Sequence, residues 1–130
     1  MKYLMLLCCC LFSVALFAQK QVDPQMIDGA YITIAHMPVF DGNLAAYIKK
    51  NKHYPEEQKK YGTEGRDGVK FIVNEDGSIS NIQVIRTIGM DFDNETIRLV
   101  ENMPKWKPGI ENGQPVKVWM TLSVLYMPPK

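Results

Sequence analysis

The chain of 130 residues is 46% hydrophobic, 22% charged and 10% aromatic, the make-up of one ordinary globular domain. Collagenous, low-complexity and disordered classes are excluded. A net charge of +1, from 15 Lys and Arg against 14 Asp and Glu, leaves no electrostatic footprint for nucleic acid or an anionic membrane.

Residues 1–18 are a different material from the rest. Lys2 precedes an apolar run from Tyr3 to Ala18, interrupted only by Ser13, and Gln19-Lys20-Gln21 follows. A positive head, an apolar middle and a small residue before a polar stretch predict a secretory signal peptide over 1–18, cut after Ala18, and hence an exported protein. The run falls short of the roughly 18 apolar residues of a permanent anchor, and an uncleaved inner-membrane anchor is the other outcome. Cutting removes Cys8, Cys9 and Cys10, all the cysteines of the chain, and with Lys2 it takes the basic residues from 15 to 14 against 14 acids. The exported domain then has no disulfide, thiol nucleophile or thiolate ligand and must be held by its core.

Residues 19–36 read as an N-terminal segment or linker with a short strand at Tyr31 to Ala35, ahead of one domain over 37–130. Met37-Pro38-Val39-Phe40-Asp41-Gly42 is a loop punctuated by Pro and Gly. Leu44, Tyr47 and Ile48 recur at spacings of three and four, which predicts a helix from Asn43 to Asn51. Tyr54-Pro55-Glu56-Glu57 starts a further helical turn, with Pro near its first position and acids matched to the helix dipole, and Gly62 and Gly65 end it. Val69, Phe71 and Val73 alternate with Lys70, Ile72 and Asn74; Asn74-Glu75-Asp76-Gly77-Ser78 is turn chemistry; a second strand runs from Ile79 to Thr87, so the pair is a hairpin. Asp67-Gly68 implies that the first of these strands starts late or carries a bulge. A helix follows, capped by Asp93, with Phe92 and Ile97 as a hydrophobic staple and Pro104 as its stop. Trp106-Lys107-Pro108-Gly109 and Asn112-Gly113 form an ordered loop into the clearest strand, Val116 to Tyr126, where Val116, Val118, Met120, Leu122, Val124 and Tyr126 alternate with Lys117, Trp119, Thr121, Ser123 and Leu125.

The order helix, strand, strand, helix, strand predicts an α+β fold, a small three-stranded sheet with two helices packed on one face. The first hairpin strand lies in the middle and the last strand runs parallel to the second. The last strand then has an unpaired border of N–H and C=O groups. Whether Thr121 turns its N–H toward that border or away from it is not fixed by the alternation.

Met37-Pro38-x-Phe40-x-Gly42, Tyr54-Pro55-Glu56-Glu57, Gly62-x-Glu64-Gly65, Asp76-Gly77-Ser78, Met103-Pro104-x-Trp106-x-Pro108-Gly109 and Asn112-Gly113-x-Pro115-Val116 together resemble the TonB C-terminal domain family, in order and spacing, from Met37 to Tyr126. The resemblance implies a small antiparallel sheet backed by two helices. It further implies a periplasmic module that grips an extended segment of an outer-membrane TonB-dependent receptor by strand addition, in company with inner-membrane proton-channel partners. Strand addition draws affinity from the main chain and register from alternate side chains, so the expected grip is Val118, Trp119, Met120, Thr121, Leu122, Ser123 and Val124. An alternative keeps the fold without energy transduction: a free periplasmic interaction or structural domain that forms a homodimer or binds envelope proteins or peptidoglycan. In its favour, about nineteen residues separate Ala18 from the Met37 motif, a reach of roughly 65 Å when extended.

Catalytic chemistry has little to build on. The mature chain has no Cys and no Gly-rich phosphate loop, and Ser78, Ser80 and Ser123 lie in a turn and strands without a partnered His. No enzyme activity and no cofactor is expected. His36 and His53 lie in loops without a third ligand, so no metal site is expected either. Trp106 and Pro108 read as core and loop geometry, and Trp119 either packs under the N-terminal segment or meets a partner.

Overall fold

A computed structural model describes residues 25–130. The predicted signal peptide over 1–18 lies outside the described residues. The chain runs through β1 (Gln25–Ile27), β2 (Ala30–Thr33), α1 (Leu44–Asn51), a 3-10 helix (Glu56–Tyr61), β3 (Gly65–Val73), β4 (Ile79–Arg86), α2 (Met90–Glu101), β5 (Gly109–Glu111), β6 (Gln114–Val116) and β7 (Val118–Tyr126).

The main sheet has the order β1-β2-β7-β3-β4. Its heart is the predicted arrangement: β3 lies between β4 and β7 and is antiparallel to both, which leaves β4 and β7 parallel. Five strands replace three because part of the segment read as a linker folds back as a hairpin. β1 and β2 pair around Asp28-Gly29, whose φ values of 50° and 76° are those a tight two-residue turn requires. β2 then meets β7 in parallel at Tyr31 and Val118.

The predicted last strand is divided. Val116 closes a separate two-stranded ribbon, β5–β6, turned at Asn112-Gly113 with φ of 51° and 73°, and β7 begins two residues later. A stretch that reads as a loop thus contains a ribbon too short to show a period.

α1 begins at Asn43, whose side-chain oxygen accepts the Ala46 N–H at 3.0 Å. α2 corrects the sequence reading: Gly89 is its cap, so the helix starts at Met90, ahead of Asp93. Thr87 organises that start, its Oγ1 accepting the Gly89 N–H at 3.0 Å and donating to Asp93 Oδ2 at 2.8 Å. Phe92 is consequently inside the helix and fully buried between the Tyr54 and Tyr126 rings, and forms no staple ahead of it.

β3 takes in Asp67-Gly68 from a start at Gly65. The irregularity falls on its pairing with β4, where the register shifts at Gly68/Val69 and again between Lys70 and Ile72. Its pairing with β7 is continuous from Gly65 opposite Tyr126 to Val73 opposite Val118.

The core lies on the helical face of the sheet. Val69, Phe71 and Val73 of β3 and Val118, Val124 and Tyr126 of β7 are buried there with Leu99 and Val100 of α2. Trp106 is core, as expected, meeting Phe40 and Phe71 edge-on at 5.6 and 5.7 Å. Its backbone N–H donates to the Gly77 carbonyl at 2.9 Å, while its indole Nε1 is buried without a partner. Gly77 has φ of 84° and a Cβ there would lie 2.0 Å from the Trp106 carbonyl oxygen, so the β3–β4 turn admits only glycine. On the other face the hairpin covers a smaller cluster of Ala30, Ile72 and Trp119.

Candidate partner-binding edge

The continuous β3 pairing makes the main-chain groups of β7 alternate strictly between β3 and the opposite side. Two hydrogen bonds fix the phase. The Lys117 carbonyl accepts the Tyr31 N–H at 2.8 Å and the Leu125 carbonyl accepts Lys52 Nζ at 2.6 Å, both on the side away from β3. Thr121 and Ser123 share that phase and face outward, whereas Met120, Leu122 and Val124 bond inward, opposite Phe71, Val69 and Asp67. Among the described residues no strand pairs with the outer side of β7 beyond Val118. The border is therefore covered at its Val118 end by the chain's own hairpin and open from Thr121 to Leu125, where Lys52 caps the last carbonyl.

The seven residues expected to form the grip fall into distinct groups. Val118 is paired on both sides and fully buried. Trp119 lies under the hairpin, 8% exposed, with Nε1 donating to the Ile27 carbonyl at 2.9 Å and Lys70 Nζ 4.8 Å above its ring. Met120 and Leu122 are half-buried on the helical face and Val124 is buried there. Only Thr121 and Ser123 expose both side chain and outward main chain. Sequence reasoning missed Lys52, 73 positions from Leu125 along the chain, because no local pattern ties a helix C-terminus to a distant strand.

A groove of about 420 Å³ opens where β2 leaves β7. Its walls are apolar, Ile27 and Ile32 from the hairpin, Met37 from the loop beyond and Trp119 and Met120 from β7, and Lys70 and Thr121 form its polar rim. The fork exists because β2 pairs with β7 only at Tyr31, after which Ile34 turns into the core and His36 and Val39 pair with Ile110 and Lys107.

A second polar feature lies at the far end of the sheet. Asp67 is fully buried and its Oδ2 accepts the Ile88 N–H at 3.4 Å. Burial first, and then the Asp93 carboxyl beside it, push the Asp67 carboxyl up to about 6, against the pull of Thr96 and the Ile88 N–H. Oδ1 of Asp67 and Oδ1 of Asp93 each lack a hydrogen-bond donor. Tyr126, whose hydroxyl meets Thr96 Oγ1 at 2.9 Å, is pushed up to about 12, chiefly by burial. Asp67, Thr96 and Tyr126 are fully buried among β3, α2 and β7, so they hold this end of the sheet together. Among the described residues there is no cluster of His, Cys, Asp or Glu able to hold a metal ion, and no helix long and apolar enough to cross a membrane.

A three-strand heart backed by helices, with a regular strand along a partly unpaired border, defines a small α+β domain. The profile of the family described as Gram-negative bacterial TonB protein C-terminal matches residues 50–128, and the chain belongs to that family. In fold it is similar to the TonB C-terminal domain of Helicobacter pylori solved by NMR, at 20% identity and a TM-score of 0.50, over 66% of this chain and 78% of that one. It is also similar to the TonB C-terminal domain of Pseudomonas aeruginosa, at 23% identity and a TM-score of 0.45, over 61% of this chain and 81% of that one. No curated protein matches the chain.

Proposed function

We propose that this TonB C-terminal domain works in the periplasm as a strand acceptor, taking an extended segment of an outer-membrane TonB-dependent receptor beside β7 between Thr121 and Leu125. The observation that carries the reading is the unshifted register of β7, which leaves the outward N–H and C=O of Thr121 and Ser123 aligned and without a strand partner. Main-chain pairing there supplies affinity that tolerates sequence change, and the side chains at alternate positions set register. The hairpin shortens the site from the Val118 side without closing it, and the domain needs no catalytic group or cofactor for this role. Proton-channel partners in the inner membrane belong to the same reading.

Titrating the isotope-labelled chain with receptor plug-segment peptides tests it. The amides of Thr121, Ser123 and Leu125 shift if the border is the site, and Thr121→Pro, which deletes an outward donor, abolishes the shifts. Unmoved amides along β7 at saturating peptide would refute the reading. They would leave the alternative of a domain that docks to envelope proteins, peptidoglycan or a second copy of itself by another surface.

A further inference from the structure

We propose that Asp67 and Asp93 share one proton and form an acid-closed latch, which pins the Thr87-Ile88-Gly89 connection and the first turn of α2 to β3 and releases them when the proton leaves. The latch stands whether or not β7 accepts a strand. The observation that carries it is a pair of carboxyl groups from β3 and α2, each with one oxygen that is buried and meets no donor. Asp67 is fully buried, and Asp93 lies within hydrogen-bonding reach of it. Among the described residues neither takes part in an ion pair. Two carboxylates facing each other there leave both oxygens unsatisfied, whereas one proton turns an acceptor into a donor and satisfies both. The same two groups hold the chain around them. Asp67 Oδ2 accepts the Ile88 N–H at 3.4 Å, Asp93 Oδ2 accepts the Thr87 hydroxyl at 2.8 Å, and that hydroxyl accepts the Gly89 N–H at 3.0 Å. The connection and the start of α2 are thus tied to β3 through the pair.

No neighbouring cation takes the place of the proton. On β3 the adjacent Arg66 is exposed and belongs to the opposite face of the sheet. On β7 the one titratable side chain is Tyr126, whose hydroxyl meets Thr96 at 2.9 Å. On α2, Arg98 is taken by Glu95, the His53 ring and the Asn51 carbonyl, and Asp91 accepts from Gln58 at 2.9 Å. Arg86 at the end of β4 is exposed, Lys52 beyond α1 sits on the Leu125 carbonyl, and Tyr54 donates its hydroxyl to the Thr63 carbonyl. Burial, and then Asp93, push the Asp67 carboxyl up to about 6. The closed form binds the proton more tightly, so the latch is fully shut below about pH 4 and opens as pH rises through about 6. Loss of the proton leaves two like charges in contact, one of them out of water, and parting lets water reach both.

The test follows the Asp carboxyl carbons and the backbone amides of the isotope-labelled chain by NMR from about pH 4 to about pH 8. The expected result is one shared midpoint at about pH 6 for the Asp67 and Asp93 carbons, with the Ile88 and Gly89 amides moving alongside. Hydrogen exchange at Ile88, corrected for its intrinsic rate, should report opening about tenfold more frequent at about pH 8 than at about pH 5. Low denaturant leaves that opening unchanged, since a local parting exposes little surface, while it speeds exchange at Phe71. Asp67→Asn, whose amide donates to Asp93 without a proton, keeps the latch shut and removes the pH dependence at Ile88. Asp93→Asn donates to the Asp67 carboxylate and lowers the Asp67 midpoint by about one pH unit or more. An Asp67 carbon that titrates at about pH 4, or that moves without Asp93, overturns the shared proton. Carbons that titrate together while exchange at Ile88 stays constant, or rises only in step with Phe71, overturn the latch. If either variant fails to fold, the carbon and exchange data of the parent decide alone.

Discussion

β4 and β7 flank the same central strand, yet they make opposite kinds of border. β4 is the outermost strand on its side, and its pairing with β3 slips twice, Asn81 sits at φ of 53°, and Gln83 and Arg86 are exposed along it. Bulges and charges of this kind spoil the straight row of groups that another strand needs. β7 has no slip against β3 and is protected by cover instead, with the hairpin over its Val118 end and Lys52 on its Leu125 carbonyl. An edge blunted in its own backbone is closed permanently, whereas one shielded at its ends keeps a usable middle. The contrast is the reason the proposed function places the partner beside β7 and not beside β4.

The sharpest way to break the comparison is a pair of prolines on β7. Leu122→Pro removes an inward bond to β3 and should cost about 3 kcal/mol or more, enough to unfold much of the domain, while Thr121→Pro removes an outward donor and should cost about 1 kcal/mol. Chemical denaturation of the two side by side checks this, and equal losses would mean that the phase assigned to the border is wrong.

Removing the cover comes next. Trp119→Ala deletes a buried indole and its bond to the Ile27 carbonyl, and should cost about 3 kcal/mol while freeing the hairpin. Hydrogen exchange at the Tyr31 amide should then quicken far more than at Phe71, and equal protection before and after would show that the hairpin is held by something else.

A third test concerns the end of the sheet where Asp67 joins β3, β7 and α2. With its carboxyl pushed up to about 6 in the fold against an ordinary value of 3.8, the native state binds the proton more tightly. Stability from this group is thus fully present below about pH 4 and lost as pH rises through about 6. Asp67→Asn should flatten that slope and be more stable than the parent above neutrality by about 1–3 kcal/mol. Thermal unfolding across pH reads it, and a parent that gains stability between pH 4 and 7 while the variant does not would reverse the sign. The smallest effect is expected from Lys52→Ala, within about 0.5 kcal/mol of the parent by denaturation, because an exposed ammonium on a carbonyl adds little. A larger loss would make Lys52 a structural clamp.

Much of the framework was legible from residues alone. Alternation at Val69, Phe71 and Val73 and along Val118 to Tyr126 marks strands because side chains there must alternate between core and water. The spacing of Leu44, Tyr47 and Ile48 marks α1 for the same reason at a helical period. The order of those elements left few topologies, and the central arrangement of β4, β3 and β7 follows from them. The start of α2 was not legible, since it depends on how Thr87 and Gly89 meet Asp93 and on the burial of Phe92. The β5–β6 ribbon is too brief for any period to register.

What the chain's own pattern determined is therefore where strands and helices form and which side chains they bury, because both depend on neighbours two to four positions away. Which part of β7 stays open was decided only by tertiary structure. Tyr31, Ile27 and Lys52 reach that strand across 86, 92 and 73 positions and take the groups that would otherwise be free. A hydrogen bond between residues so far apart leaves no mark on either local sequence.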